Sequence, residues 1–166
     1  MRVILAEKQK RDFMIMNKRI GFGIVIILLL LAQCKKRENP VNSEPIPIVP
    51  VNKTINLAIR GNFLFVPGTF FYETGGNKGL LVVHDFDDII RVFDRTCSHQ
   101  PSNACAMVTV DSSALQMRCG VYEPSGFINC CGSLFNFSGM PTRTPAIFPL
   151  LQYRTSRTGD LLSVYN

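Results

Sequence analysis

Beyond residue 40, the sequence has no excess of charge of either sign. Residues 41–166 hold nine lysines and arginines against nine aspartates and glutamates, whereas residues 1–40 hold nine against three. The formal net charge of +6 therefore belongs to the first 40 residues. A domain that binds nucleic acid needs a basic surface to neutralise phosphates. The balanced charge of residues 41–166 argues against nucleic-acid binding.

The sequence also lacks an apolar run of about 20 residues, the length that spans a bilayer as a helix. Its longest apolar run, residues 21–32, follows Lys18 and Arg19. A basic segment before a short apolar one is typical of a secretory signal. Residues 31–34, Leu-Ala-Gln-Cys, resemble a bacterial lipobox, in which the cysteine is acylated and becomes the mature N-terminus. The alternative is a plain membrane anchor in which Cys34 is incidental.

The remaining chain divides into a tether and one domain. Residues 1–33 are interpreted as an N-terminal extension with a lipoprotein signal peptide, and residues 34–50 as the lipidated Cys34 with a proline-rich tether. Prolines at this density favour extended chain. Residues 51–166 are long enough for one domain. We therefore expect a protein of the cell envelope that is attached to the membrane through a lipid anchor.

No part of residues 51–166 shows sustained helical periodicity. Short β-type runs alternate with turn residues instead, which predicts about ten strands in an all-β sandwich or small barrel. One predicted strand covers residues 63–66, and another ends at His84, which is expected to be a solvated hairpin residue. Residues 107–110 and 114–117 flank a turn and predict a hairpin.

The sequence also lacks the residue patterns of common catalytic sites. The sequence shows no serine or cysteine nucleophile paired with an oriented base, and it has no phosphate-binding glycine loop. The sequence therefore predicts a protein that is not an enzyme.

The cysteines and the two histidines carry the chemistry that remains. Residues 93–99 read Phe-Asp-Arg-Thr-Cys-Ser-His, and residues 131–139 read Cys-Gly-Ser-Leu-Phe-Asn-Phe-Ser-Gly. These segments resemble the first and second cluster-binding boxes of Rieske iron–sulfur proteins. Residues 144–146 and 149–150, followed by Tyr153, are similar to the proline loop of that family. The resemblance covers residues 51–166 and implies an antiparallel β fold with a cluster-binding loop subdomain.

The resemblance also implies a set of site residues. A 2Fe-2S cluster is expected on four ligands: Cys97, His99, Cys130 and Cys131. Two further residues of the second box, Gly132 and Ser133, are implied to support the cluster loop. The family carries an additional disulfide near the cluster, for which Cys105 and Cys119 are the expected cysteines. The function implied is one-electron transfer to an unidentified redox partner in the envelope.

The ligand pattern departs from the family, and this leaves alternatives open. Rieske centres take two imidazoles, but Cys131 stands at the second histidine position, and Ile128 stands where a thiolate is needed. Either Cys130 or Cys119 can replace that thiolate, depending on the register. Three thiolates and His99 also suit tetrahedral zinc. Without metal, the cysteines would form two disulfides and leave Cys119 free, in a β domain that serves as an envelope interaction or assembly module.

Overall fold

A computed structural model describes residues 44–166 of the chain. The extension, the signal and Cys34 lie outside the described residues, as does the first part of the tether. Residues 44–50 of the tether contain neither helix nor strand. Among the residues described, no helix has the length and apolar character that crossing a membrane requires.

The described residues form ten strands in two antiparallel sheets, which confirms the predicted all-β class. The larger sheet has six strands in the order β1-β10-β9-β4-β3-β2. Its strands are β1 (Asn52–Asn56), β2 (Phe70–Glu73), β3 (Leu80–His84), β4 (Ile90–Asp94), β9 (Gln152–Thr158) and β10 (Leu161–Tyr165). The smaller sheet has the order β5-β6-β7-β8, with β5 (Val108–Asp111), β6 (Gln116–Glu123), β7 (Gly126–Phe135) and β8 (Pro141–Arg143). Strands β5 and β6 form the hairpin that the sequence predicts.

Strand β3 is buried on both faces and separates two hydrophobic cores. Successive side chains of a strand point to opposite faces. Leu80 and Val82 therefore pack into the core of the six-stranded sheet, whereas Leu81 and Val83 pack into a second core that includes Phe135 of β7. A strand buried on both faces reads as a continuous apolar run rather than an alternating one. This is why residues 80–83 are Leu-Leu-Val-Val.

The outermost strands of the six-stranded sheet are joined by an ion pair. Lys53 on β1 and Glu73 on β2 form a salt bridge, and Arg60 forms a second one with the same carboxylate. Lys53 also donates hydrogen bonds to Thr74, at 3.0 Å to the hydroxyl oxygen. Since β1 and β2 lie at opposite ends of the strand order, the sheet curls until its two edges meet.

The predicted strand at residues 63–66 is wrong. The chain forms a 3₁₀ helix at Gly61–Leu64, and Gly61 has a φ of 60° that favours glycine. Phe63 is buried against Phe71, with ring centroids 4.8 Å apart, whereas Phe65 is 80% exposed. The run is apolar because one of its phenylalanines packs into the core from a turn. Apolar character alone does not distinguish such a turn from a strand.

The prediction that His84 is solvated is also wrong, since only 2% of this residue is exposed. The 3₁₀ helix brings the carbonyl oxygen of Phe63 to 2.8 Å from Nδ1, and the carboxylate of Asp88 lies 2.7 Å from Nε2. His84 therefore connects the end of β3 to two neighbouring segments.

Candidate metal centre

Three free cysteines meet where the smaller sheet packs against the loop that follows β4. The sulfurs of Cys97, Cys119 and Cys131 all lie within 4.8 Å of one another, and the Cys97 and Cys131 sulfurs are 3.7 Å apart. Cys97 and Cys119 are fully buried, whereas Cys131 is partly exposed. We call these three residues the thiol triad. It is the one group of this kind found within residues 44–166.

Cys97 is held by the loop of the first box. The Cys97 amide donates to the carbonyl oxygen of Ala106 at 3.0 Å, and Thr96 pairs with Met107, so that residues 97–106 form a closed loop. Asp94 at the end of β4 is fully buried and accepts hydrogen bonds from the Thr96 amide and hydroxyl. The beginning of the loop is thereby fixed to the six-stranded sheet.

Cys119 and Cys131 are brought together by a bulge between β6 and β7. Gly120 pairs with Asn129 and Arg118 pairs with Leu134, so one residue of β6 stands opposite residues 130–133 of β7. That single residue is Cys119. A bulge of this kind bends the strand that carries the extra residues and re-aims its side chains. Cys130 and Cys131 both pack against the core, but within the bulge the Cys131 sulfur meets Cys97 and Cys119, whereas the Cys130 sulfur is bonded to Cys105.

The disulfide differs from the one expected. Cys105 is bonded to Cys130, with Cα atoms 5.5 Å apart, and not to Cys119. Cys130 is therefore not free to bind a metal, although the sequence assigned it to the ligand set, and Cys119 takes part in the triad instead. The physical reason is strand alternation: Met117 and Cys119 are both buried on one face of β6, two residues apart. That spacing is the signal in the sequence that points to Cys119.

Two residues of the second box support the position of Cys131. The Cys131 sulfur lies 3.1 Å from the hydroxyl oxygen of Ser133, which is fully buried and accepts a hydrogen bond from the Ala146 amide at 2.9 Å. Gly132 has a φ of 78°, a backbone conformation that residues other than glycine rarely adopt. Its amide donates to the side-chain oxygen of Asn129 at 3.0 Å.

The segment that resembles a proline loop joins both boxes. It contacts the second box through the Ala146–Ser133 hydrogen bond, and the first through Ser98, whose hydroxyl donates to the carbonyl oxygen of Phe148 at 2.6 Å. Residues of two boxes about 30 positions apart are thus fixed on a third segment. His99 is next to Ser98 and is half-buried, but it is not a member of the thiol triad.

The three thiols are electrostatically unequal. Hydrogen bonds from Cys119 and Cys97 hold the pKa of Cys131 far below its usual range. A hydrogen bond with Cys119 lowers the pKa of Cys97, but the bond to Cys131 and burial outweigh it and raise this pKa to about 12. Hydrogen bonds to Cys131 and Cys97, together with burial, raise the pKa of Cys119. Burial opposes ionisation more strongly at Cys97 and Cys119 than at the partly exposed Cys131.

The donor set suits a thiophilic metal. Thiolates are preferred by zinc and by iron–sulfur centres, whereas magnesium and calcium take oxygen ligands. Two thiolates on one tetrahedral zinc ion, each about 2.3 Å from the metal, have sulfurs about 3.8 Å apart. The observed contact of 3.7 Å between the Cys97 and Cys131 sulfurs agrees with this spacing. The fully buried Cys97 and Cys119 provide the water-excluded side of such a site.

Comparison with known proteins gives similarities among solved structures. The chain is similar to the cyanobacterial plasma membrane Rieske protein PetC3 from Synechocystis PCC 6803, at 21% identity and a TM-score of 0.48. That match covers 70% of this chain and 99% of the other. It is also similar to the ferredoxin of carbazole 1,9a-dioxygenase from Nocardioides aromaticivorans IC177, at 20% identity and a TM-score of 0.43. The second match covers 70% of this chain and 96% of the other.

No family model matches the sequence, and no curated protein matches it.

Proposed function

We propose that residues 51–166 form a Rieske-like domain that carries one electron at a time on a 2Fe-2S cluster. The observation that carries this proposal is the thiol triad, in which three free cysteines from two distant segments converge in a partly buried site. Two of its members, Cys97 and Cys131, lie in the segments that resemble the cluster-binding boxes. A role in electron transfer requires no catalytic residues, and the sequence shows none.

The proposed ligands are the thiol triad and His99. Each iron of a 2Fe-2S cluster takes two protein ligands. The fully buried Cys97 and Cys119 are assigned to one iron, and the half-buried Cys131 and His99 to the other. This assignment requires the Cys97 and Cys131 sulfurs to move apart from their 3.7 Å contact when a cluster binds. This assignment replaces Cys130, which is held in the disulfide, by Cys119. It keeps the remaining three residues of the ligand set that the sequence predicts.

The altered ligands change the chemistry that the cluster supplies. A thiolate at the position of Cys131 adds a negative charge that a neutral imidazole does not carry, so we expect a lower reduction potential than in centres with two histidines. One imidazole fewer also means one proton fewer that can accompany the electron. The half-buried Cys131 and His99 are the proposed ligands nearest to the solvent, so their side of the site would face a redox partner.

The proposed location is the cell envelope. An acylated Cys34 and the proline-rich tether of residues 34–50 would hold the domain at a membrane surface. A tethered carrier can exchange electrons only with donors and acceptors at the same membrane, so its partner is proposed to be a redox protein of the envelope.

A second candidate is a β domain without redox activity, which serves as an envelope interaction module. The specific observation in its favour is the compactness of the thiol triad, since three sulfurs within 4.8 Å surround a single point more closely than they span two irons. One zinc ion would then stabilise the fold. In the metal-free form of this candidate, the Cys105–Cys130 disulfide provides the cross-link.

Metal analysis separates these candidates. The full chain is purified anaerobically, and its iron, acid-labile sulfide and zinc are measured together with its visible absorption. About two irons and two sulfides per chain are expected, with loss of both in Cys119→Ser and retention in the Cys105→Ala/Cys130→Ala double variant. About one zinc per chain without iron would establish the second candidate. Metal-free protein with free thiols at Cys97, Cys119 and Cys131 would remove both metal-binding functions.

A further inference from the structure

Lys78 places a positive charge beside the thiol triad. It lies in the turn between β2 and β3 and is half-buried. Its ammonium group donates hydrogen bonds to two carbonyl oxygens of the first-box loop, those of Asn103 and, at 3.1 Å, Ala106. The carbonyl oxygen of Ala106 also accepts the Cys97 amide at 3.0 Å. The carbonyl oxygen of Ala106 therefore bridges the Lys78 ammonium group and the backbone amide of Cys97, which is a proposed ligand.

No carboxylate contacts the ammonium group among the residues that the structure describes. The nearest buried acid, Asp94, is occupied by other donors: the Asn77 amide at 2.6 Å, the Thr96 amide at 2.8 Å and the Tyr153 hydroxyl at 3.1 Å. Asp94 receives only the backbone amide of Lys78, at 3.4 Å. The ammonium group of Lys78 is therefore held by carbonyl oxygens of the loop that carries Cys97, with no carboxylate in contact within the described residues.

The electrostatics of Lys78 agree with this geometry. Burial lowers the pKa of its ammonium group, and negative charge on Cys119, Cys97 and Asp94 opposes that effect. Arg95 is the other half-buried cation of this region, and its contacts differ from those of Lys78. It stacks on the ring of Tyr72 at 4.0 Å and donates to the carbonyl oxygen of Val108 at 3.1 Å.

We propose that Lys78 is a positioning residue that sets the reduction potential of the site by stabilising its negative charge, an inference that rests on the proposed function. Reduction adds one electron to a centre that already carries three thiolates. A fixed cation in a partly desolvated position favours the more negative state, because charges interact strongly where water is excluded. Lys78 thus partly offsets the lower potential that the third thiolate brings.

The test is the midpoint potential of the cluster in two variants of the full chain. Lys78→Met keeps the length of the side chain and removes its charge, and we expect the equilibrium constant for reduction to fall about tenfold, equivalent to ~59 mV for one electron. Lys78→Arg keeps the charge and is expected to have the wild-type potential.

A third variant separates charge from loop support. Asn103→Ala removes the side-chain bond to the Cys105 amide, 3.2 Å long, and weakens the same loop without altering charge. It should leave the potential unchanged. An equal fall in Lys78→Arg or Asn103→Ala would overturn the inference, as would a wild-type potential in Lys78→Met. Loss of the cluster from Lys78→Met would also overturn the inference, because Lys78 would then be needed to retain the cluster and not to set its potential.

Metal content shows whether a negative result concerns the role of Lys78 alone or the proposed electron-carrier function as well. If the wild-type chain retains no iron and sulfide, the electron-carrier function fails and the inference about Lys78 fails with it. If wild type and Lys78→Met both retain the cluster and have one potential, only the inference fails.

Discussion

The two sheets of this domain are stabilised in different ways. The six-stranded sheet encloses aliphatic and aromatic side chains, including Leu80, Val82 and Leu162, each less than 2% exposed. The four-stranded sheet also packs on a hydrophobic core, which includes Phe135, but it adds a disulfide, a bulge and the thiol triad. Core residues of either sheet can be replaced by others of similar volume, since burial is not directional. The cysteines of the second sheet cannot, because sulfur chemistry depends on identity and position.

This difference separates stability from site chemistry. Substitutions in the core of the six-stranded sheet should change the free energy of unfolding and leave the triad intact. Substitutions in the triad should remove the metal and leave the larger sheet folded. The following predictions test that separation.

The largest expected effect is loss of the metal centre on removal of one thiol of the triad. Cys119→Ser replaces a fully buried thiolate by a hydroxyl that binds iron and zinc poorly. We expect bound metal to fall to background while far-ultraviolet circular dichroism remains that of a β protein. The matched control is the Cys105→Ala/Cys130→Ala double variant, which lies outside the triad. Equal metal loss in the control would mean that loss of metal from Cys119→Ser does not identify Cys119 as a ligand.

The next effect is a loss of stability without a loss of metal. Leu162 on β10 is 1% exposed, and Leu162→Ala should lower the free energy of unfolding by about 2–5 kcal/mol through lost burial and a cavity. Urea denaturation measures this change. Leu161→Ala is the control, since Leu161 is 49% exposed and should have a small effect. Metal content should be unchanged in both variants, and a fall in Leu162→Ala would mean that the two regions are coupled.

Removal of the disulfide should have a similar or somewhat smaller effect on stability. Cys105 and Cys130 are separated by 25 positions, and a cross-link that closes a loop of this length stabilises a fold by about 3 kcal/mol through the unfolded chain. The double variant Cys105→Ala/Cys130→Ala is compared with the oxidised parent by denaturant titration. A difference below about 1 kcal/mol would show that the loop is already ordered in the unfolded ensemble.

The smallest effect concerns the ion pair between the outermost strands. Lys53 and then Arg60 lower the pKa of Glu73 below 4.5. The stabilisation this brings is present above the unfolded pKa and disappears as pH falls through the folded one. Glu73→Gln should therefore cost about 1 kcal/mol at pH 7 after allowance for solvent screening. The difference should vanish in acid below the folded pKa. Glu123→Gln, an exposed change on the other sheet, should show no such dependence.

The extent to which the structure was predictable follows the same division. Apolar runs bounded by turns predict the all-β class and most strands, because each buried face of a strand needs apolar residues. The run at residues 63–66 is the exception. It becomes a 3₁₀ helix since Gly61 provides a turn and Phe63 alone enters the core.

The sequence predicts that cysteines form the site, but it does not predict which of them form the disulfide. Two boxes with Cys97 and Cys131 predict a sulfur-rich centre, but adjacent cysteines at 130 and 131 look alike in the sequence. The two differ in their partners: within the bulge opposite Cys119, Cys131 joins the triad and Cys130 forms the disulfide. A bulge depends on the pairing of two strands, and its position is not encoded in the local sequence of either one.

The contact between Lys53 and Glu73 has a consequence for how copies of this domain behave at high concentration. An open sheet presents backbone donors and acceptors along its edge strands, to which a strand from another molecule can add. Here β1 and β2 bring those edges together, and charged side chains of opposite sign stand over the junction. Strand addition between copies along this sheet must first separate the ion pair. The ion pair that joins the two edges is therefore expected to disfavour strand addition along this sheet.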